Sequence, residues 1–180
     1  MDKIFAKGHV EAALVAPDGS RHAVAGGANT LLYWCADAVA RLFAGEQAYR
    51  PSVIGFVCAG SDGAGNDFTF TAGDRTTKTE AELVRSGLTV VDVPIETGYK
   101  FAAEPPTAEE LAEDPDAKSH YAGNKVSFHA MTVDNAESEY VYGFLLKDAA
   151  GHVLAVKKLA TPVRRAAEYA MAATWTIQFN

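Results

Sequence analysis

Five histidines, two cysteines and a scatter of carboxylates are the side chains of this 180-residue chain that could do chemistry. A zinc site read from sequence needs His, Cys or Glu at short regular spacing, so that one element aims several donors at one point. His9, His22, His120, His129 and His152 stand apart, and no two share metal-ligand spacing with a Cys or Glu between them. His129 reads as a solvent-side strand residue and His152, after a turn glycine, as exposed. Cys35 and Cys58 lack CxxC spacing and read as small buried hydrophobes. Ser20, Ser61 and Ser86 neighbour glycines in turn-like contexts, without the elbow that activates a serine nucleophile. The loop Gly60-Ser61-Asp62-Gly63-Ala64-Gly65-Asn66-Asp67 lacks the Gly-Lys-Ser/Thr ending that holds phosphates and magnesium. Its Asp62, Asn66 and Asp67 also lack the spacing and distal Glu of a calcium loop, so it reads as a flexible loop. These residues assign no catalytic, cofactor or metal site, and the chain reads as a non-enzyme.

Two surface features remain. Phe68, Phe70, Tyr99 and Tyr121 fall on predicted loops, where aromatics can stack on a sugar or a receptor. Arg164-Arg165, with Lys157-Lys158, is the sole basic cluster and reads as a solvated edge, or as a contact for the acidic patch of a neighbouring copy. A net charge of -7 and a pI near 5.2 argue against nucleic acid, whose binding depends on clustered cations that release counterions. No stretch approaches the roughly 18 apolar residues of a membrane helix. The opening Met1-Asp2-Lys3-Ile4-Phe5-Ala6-Lys7-Gly8 lacks the apolar core of a secretory leader, so synthesis in a cytoplasm is expected.

The elements that must position these side chains follow from hydrophobic periodicity. From Tyr169 to Phe179, Tyr169, Met171, Ala173, Trp175, Ile177 and Phe179 share one parity, the period of a long closing strand with one greasy face. Val10 to Ala16 and Arg21 to Ala25 form a hairpin about Pro17-Asp18-Gly19-Ser20. Gly26-Gly27 then breaks the second strand, and Asn29 caps a helix beginning at Thr30. Leu31, Trp34, Cys35, Ala38 and Leu42 make the apolar stripe of that helix, which ends at Gly45.

Val53 to Ala59 is apolar on both parities, as in a strand covered on both faces, and is placed beneath the helix. Thr79 and Glu82 form a capping box for a short second helix, and Leu88 to Pro94 is again β-rich. Residues 102–123 carry Glu104, Glu109, Glu110, Glu113, Asp114 and Asp116 with three prolines, and read as an exposed acidic insertion. Lys125 to Val133, Glu139 to Lys147 and His152 to Leu159 follow as a meander. The whole of residues 1–180 reads as one domain. It is a mainly β protein, a β-sandwich of roughly eight mostly antiparallel strands with one substantial helix packed against it.

Several segments together are similar to a known group. Asn29-Thr30-Leu31-Leu32 opens a helix ending in Leu42-Phe43-Ala44-Gly45; Pro51-Ser52-Val53-Ile54-Gly55-Phe56-Val57-Cys58-Ala59-Gly60 and Glu82-Leu83-Val84-Arg85 follow. Asn124-Lys125-Val126-Ser127-Phe128, Tyr142-Gly143-Phe144-Leu145-Leu146, Gly151-His152-Val153-Leu154-Ala155 and Ala173-Thr174-Trp175-Thr176-Ile177-Gln178-Phe179 complete the pattern. The arrangement resembles structural proteins of tailed-bacteriophage tails, of the tail-fibre and baseplate-associated kind. It departs from them in residues 61–77 and 102–123. The resemblance implies a non-enzymatic virion component, assembled in the bacterial host cytoplasm. Its partners would be other tail or baseplate proteins and further copies of itself, with no membrane insertion. The alternative expectation is a carbohydrate- or receptor-binding sandwich module presenting Phe68, Phe70, Tyr99 and Tyr121.

Overall fold

A computed structural model describes residues 6–60, 79–84, 87–95, 100–101, 112, 125–132 and 138–179. The closing strand expected from the parity of the last residues is present as β9 (Ala170–Phe179), with Met171, Ala173, Trp175 and Ile177 buried. It pairs antiparallel along its length with β1 (Ala6–Val15) on one side and β6 (Lys125–Met131) on the other. The remaining strands are β2 (Arg21–Leu31), β3 (Pro51–Ala59), β4 (Thr89–Pro94), β5 (Lys100–Phe101), β7 (Glu139–Asp148) and β8 (Val153–Arg165). Among the described residues two α-helices accompany them, α1 (Tyr33–Phe43) and the one-turn α2 (Glu80–Leu83), with a single 3-10 turn over Gln47–Tyr49. In α2 the Thr79 N–H donates to the Glu82 carboxylate at 2.8 Å and the Thr79 side chain accepts from the Glu82 N–H, the two halves of the expected capping box, and the Thr79 hydroxyl also donates to that carboxylate at 2.8 Å.

The strands run β4-β3-β7-β8-β2-β1-β9-β6-β5 in one antiparallel sheet. The expected sandwich of two separate sheets is therefore corrected. β2 serves both halves: its residues from Arg21 to Asn29 pair with β1, whereas Thr30 and Leu31 pair with Val156 and Ala155 of β8. β6 also touches β3 and β4. The sheet thus curls back toward itself in a barrel-like form, and its inner face carries the main core around Trp175, Phe56, Phe144 and Leu146. A second cluster, around Val57, Leu83, Leu145 and Val156, lies under α2 on the other side of β3, β7 and β8.

Three local expectations change with this topology. The meander is broken, because β6 pairs with β9 and β5 while β7 and β8 form their own hairpin. β8 runs on through the stretch expected to be a connection, with Leu159, Ala160, Thr161 and Pro162 lying opposite Tyr142 alone; this bulge is where a strand can carry a proline. The helix begins at Tyr33 and not at Thr30, since ladder bonds on both sides hold Asn29, Thr30 and Leu31 extended. The N–H of Leu32 extends this crossing by donating to Leu154 O at 2.8 Å, and α1 packs against β8.

Asn29 is consequently a strand residue whose side chain lies beside Trp175. With its amide oxygen turned to the donors, it accepts from the indole N–H of Trp175 and the backbone N–H of His9. Gly8, its cross-strand partner, makes the room: a methyl there would overlap the Asn29 amide. Trp175 is 0% exposed, so its N–H has no route to bulk water. Asn29→Leu is expected to cost about 1–3 kcal/mol by leaving that donor without an acceptor. Urea denaturation of the variant measures this, and a loss under about 0.5 kcal/mol would contradict the assignment.

Candidate functional site

The polar chemistry of the described chain gathers in three buried clusters, two of them on adjacent residues of β7. At the end of β7, Asp148 is fully buried and closes the turn into β8. One carboxylate oxygen accepts from the N–H groups of Ala150 and His152, each at 2.9 Å, and the other lies 2.9 Å from His152 Nδ1. Such an Asp turn is what a short polar side chain followed by small residues and Gly151 favours. The His152 ring stacks on Trp34 of α1, centroids 4.0 Å apart, and on Tyr49 at 5.6 Å. Arg41 lies over Tyr49, 4.6 Å from the ring centroid, and is itself bonded to Asp37 at 2.7 Å and Glu46 at 3.2 Å. His152 is thus not the exposed turn residue expected, because aromatic faces of α1 and the following turn cover its ring.

An aspartate bonded to an imidazole nitrogen is the arrangement that fixes a histidine for general-base work, given a reacting hydroxyl or thiol within reach. Here the pair fastens α1 to the β7–β8 hairpin through Trp34. The nearer thiol chemistry is quiet: burial pushes Cys35 up to about 11. Cys58 is pushed up to about 12, by burial first and then by the neighbouring Glu139 charge. Both cysteines are free and buried, as two small hydrophobes would be.

One residue earlier, Lys147 is turned into a second cluster. Its ammonium donates to Glu80 of α2 and to Asp92 of β4, each at 2.6 Å, and its side chain is 8% exposed. β3 lies between β4 and β7, and Gly55 is the β3 residue paired with Asp92. A methyl at Gly55 would stand 2.8 Å from Val90 and 3.1 Å from the Asp92 carboxylate, so the glycine keeps the passage clear for the ion pair. Burial pulls the Lys147 pKa down, but the bonds to Asp92 and Glu80 outweigh it and the net shift is upward.

Arg165 forms the third cluster and corrects an expectation. The sequence places it with Arg164 on a solvated basic edge, yet it is 1% exposed. Its guanidinium donates to Glu139 at 2.8 and 3.0 Å and to Tyr169 O at 2.8 Å, tying β7, β8 and the turn into β9 together. Alternate residues of a strand face opposite sides, so Arg164, paired with Tyr140, remains exposed. Lys157 of the same basic cluster donates to Ala28 O at 2.8 Å. Phe68, Phe70, Tyr99 and Tyr121, like the loop over residues 61–67 and nearly all of the acidic insertion, lie outside the described residues. His129 takes the place expected for it, half-buried on β6, with Nδ1 2.9 Å from the Thr174 hydroxyl. Among the described residues no three His, Cys, Asp or Glu side chains converge on a metal position, and no helix is long and apolar enough to cross a membrane.

No family model matches the chain, and neither does any curated protein or solved structure.

The Lys147 cluster carries a pH signature. Its folded pKa is raised above 10.5, so its contribution is complete below that value and is lost as pH rises through the folded pKa. Denaturant midpoints should show native protein above Lys147→Met by a constant margin from neutral pH, where Glu80 and Asp92 are ionised, to pH 10.5, narrowing beyond it; a margin that stays constant there would contradict the cluster. The two thiols are expected to resist a thiol reagent at neutral pH until denaturant is added, and rapid labelling of folded protein would count against their burial.

Proposed function

We propose that this chain is a non-enzymatic structural component of a tailed-phage virion, associated with the baseplate or tail fibre and acting through protein–protein assembly. The observation that carries the reading is the open edge of the sheet. Among the described residues, β4 has a backbone ladder with β3 alone, its contact with β6 includes no ladder pair, and it carries Val91 at 42% exposed. An unpaired strand offers a row of backbone donors and acceptors, which is the means by which a neighbouring chain adds a strand. The polar clusters support the same reading, since Lys147, Arg165 and Asp148 are spent on holding strands together.

The resemblance of the residue pattern to tail-fibre and baseplate-associated proteins supplies the particle. The partners proposed are other tail or baseplate proteins, with further copies of this chain as a homo-oligomer within the virion. Nucleic acid and membrane lipid are not among them, in keeping with the acidic charge balance.

Sedimentation of high-mass particles from the native source, followed by mass spectrometry, tests this. The chain is expected at fixed, salt-resistant stoichiometry, and Val91→Lys is expected to keep the fold within about 0.5 kcal/mol while failing to enter particles. Absence of the native chain from every particle fraction, or normal incorporation of Val91→Lys, would count against the proposal.

A further inference from the structure

The outer face of β6, β9 and β1 carries a regular array of polar side chains. Ladder partners set its first two rows, Lys125, Gln178 and Lys7, then Ser127, Thr176 and His9. A third row ends in Glu11, which turns back toward His9 at 3.6 Å. The alternate residues Phe128, Trp175, Ile177 and Val10 fill the core, so the array points away from it. Over these rows lies an open groove of about 660 Å³ that reaches Thr30 of β2. The groove exists because Lys7, Lys125 and His9 are long, whereas Ser127 and Thr176 between them are short. Those two hydroxyls lie 2.9 Å apart. Neighbouring strands are about 4.8 Å apart, so the two lysine backbones are roughly 10 Å apart and both ammoniums can reach one group above Gln178. Neither lysine has an acidic partner among the described residues.

We infer that this groove binds a sugar phosphate, with its phosphate between Lys7 and Lys125 and its hydroxyls along Ser127, Thr176 and Glu11. The class follows from the order of groups along the groove, two cations, then hydroxyls, then a carboxylate. A dianionic phosphate gains from both ammoniums, where a monocarboxylate neutralises one of them. Ser127 and Thr176 commit one hydroxyl proton to the bond between them, which leaves the other proton and further lone pairs for a ligand. A polyol matches that mixture, since each of its hydroxyls both donates and accepts. Glu11 accepts from a hydroxyl and repels a second phosphate, which favours a monoester over a polyphosphate. The volume falls within the range of about 300–1,000 Å³ usual for small-molecule sites. Among the described residues the lining has no Phe, Tyr or Trp to stack a base, and Leu31 is its one large apolar side chain, which disfavours a nucleotide and a lipid. This inference stands apart from the assembly reading, since neither the groove nor its residues include β4.

The test is calorimetric titration of the full-length protein at low salt with glucose 6-phosphate, glucose, gluconate and inorganic phosphate. Saturable binding is expected for glucose 6-phosphate, with gluconate and inorganic phosphate about tenfold weaker and glucose without saturation. Lys7→Glu combined with Lys125→Glu, both at partly or fully exposed positions, should weaken glucose 6-phosphate by at least about tenfold. Ser127→Ala combined with Thr176→Val removes both hydroxyls together and so leaves neither without its partner. That pair should bring glucose 6-phosphate down toward inorganic phosphate while leaving inorganic phosphate unchanged. Failure of glucose 6-phosphate to saturate, equal binding of glucose, or indifference to the double charge reversal would each overturn the inference. Inorganic phosphate as tight as glucose 6-phosphate would reduce the groove to a simple anion site and overturn it too. So would preference for a nucleoside triphosphate or a phosphoserine peptide. The ligand series on the native chain keeps the inference falsifiable even if a double variant does not fold.

Discussion

The two halves of the sheet meet in the backbone hydrogen bonds that Thr30 and Leu31 make to β8, and the rest of the structure depends on that crossing. A single strand has to leave β1 and join a new neighbour without exposing its amides, and it has only a few residues in which to do so. The N–H of Leu32 continues the ladder to Leu154 before the chain turns into α1. Just ahead of the crossing, Asn29 must be polar enough to satisfy the Trp175 indole and must face a residue small enough to admit it, which Gly8 is. The helix and the Trp34–His152 stack both take their positions from where β2 ends.

The buried charges act at a longer range in sequence. Lys147 joins β7 to α2 and β4, Arg165 joins β8 to β7 and the last turn, and Asp148 holds the hairpin on which α1 rests. Pairs of this kind contribute little net stability over apolar packing, but each becomes costly if the register slips and leaves a charge alone. That cost falls where a sheet of this length would be least constrained, at the hairpin turn and near β4, which among the described residues has β3 as its one ladder partner. The same allocation explains why side chains able to do chemistry are found inside the fold and bonded to one another.

Much of the local structure was legible in the sequence. The parity of Met171 to Phe179, the two-sided greasiness of Val53 to Ala59 and the Thr79–Glu82 box each have a cause within a few residues, and each appears as expected. Pairing was not legible, since nothing in Lys125 to Met131 says that its neighbour is β9 rather than β7. Asn29-Thr30 is a sound helix cap taken alone, and only the ladders to Gly8 and Val156 override it. Arg165 resembles its exposed neighbour Arg164 in sequence, and its partner Glu139 is too distant to be read from spacing. The Asp148–His152 pair did carry a signal, a carboxylate four residues before a histidine across a glycine turn, although its aromatic cover came from α1.

Hydrogen exchange on the amides of β4, compared between the free chain and the chain within a particle, tests the assembly account most directly. The account predicts fast exchange of the unpaired β4 amides in the free chain and strong protection once it is incorporated, with β9 protected in both states. Incorporation that leaves β4 exchange unchanged would contradict assembly through that edge.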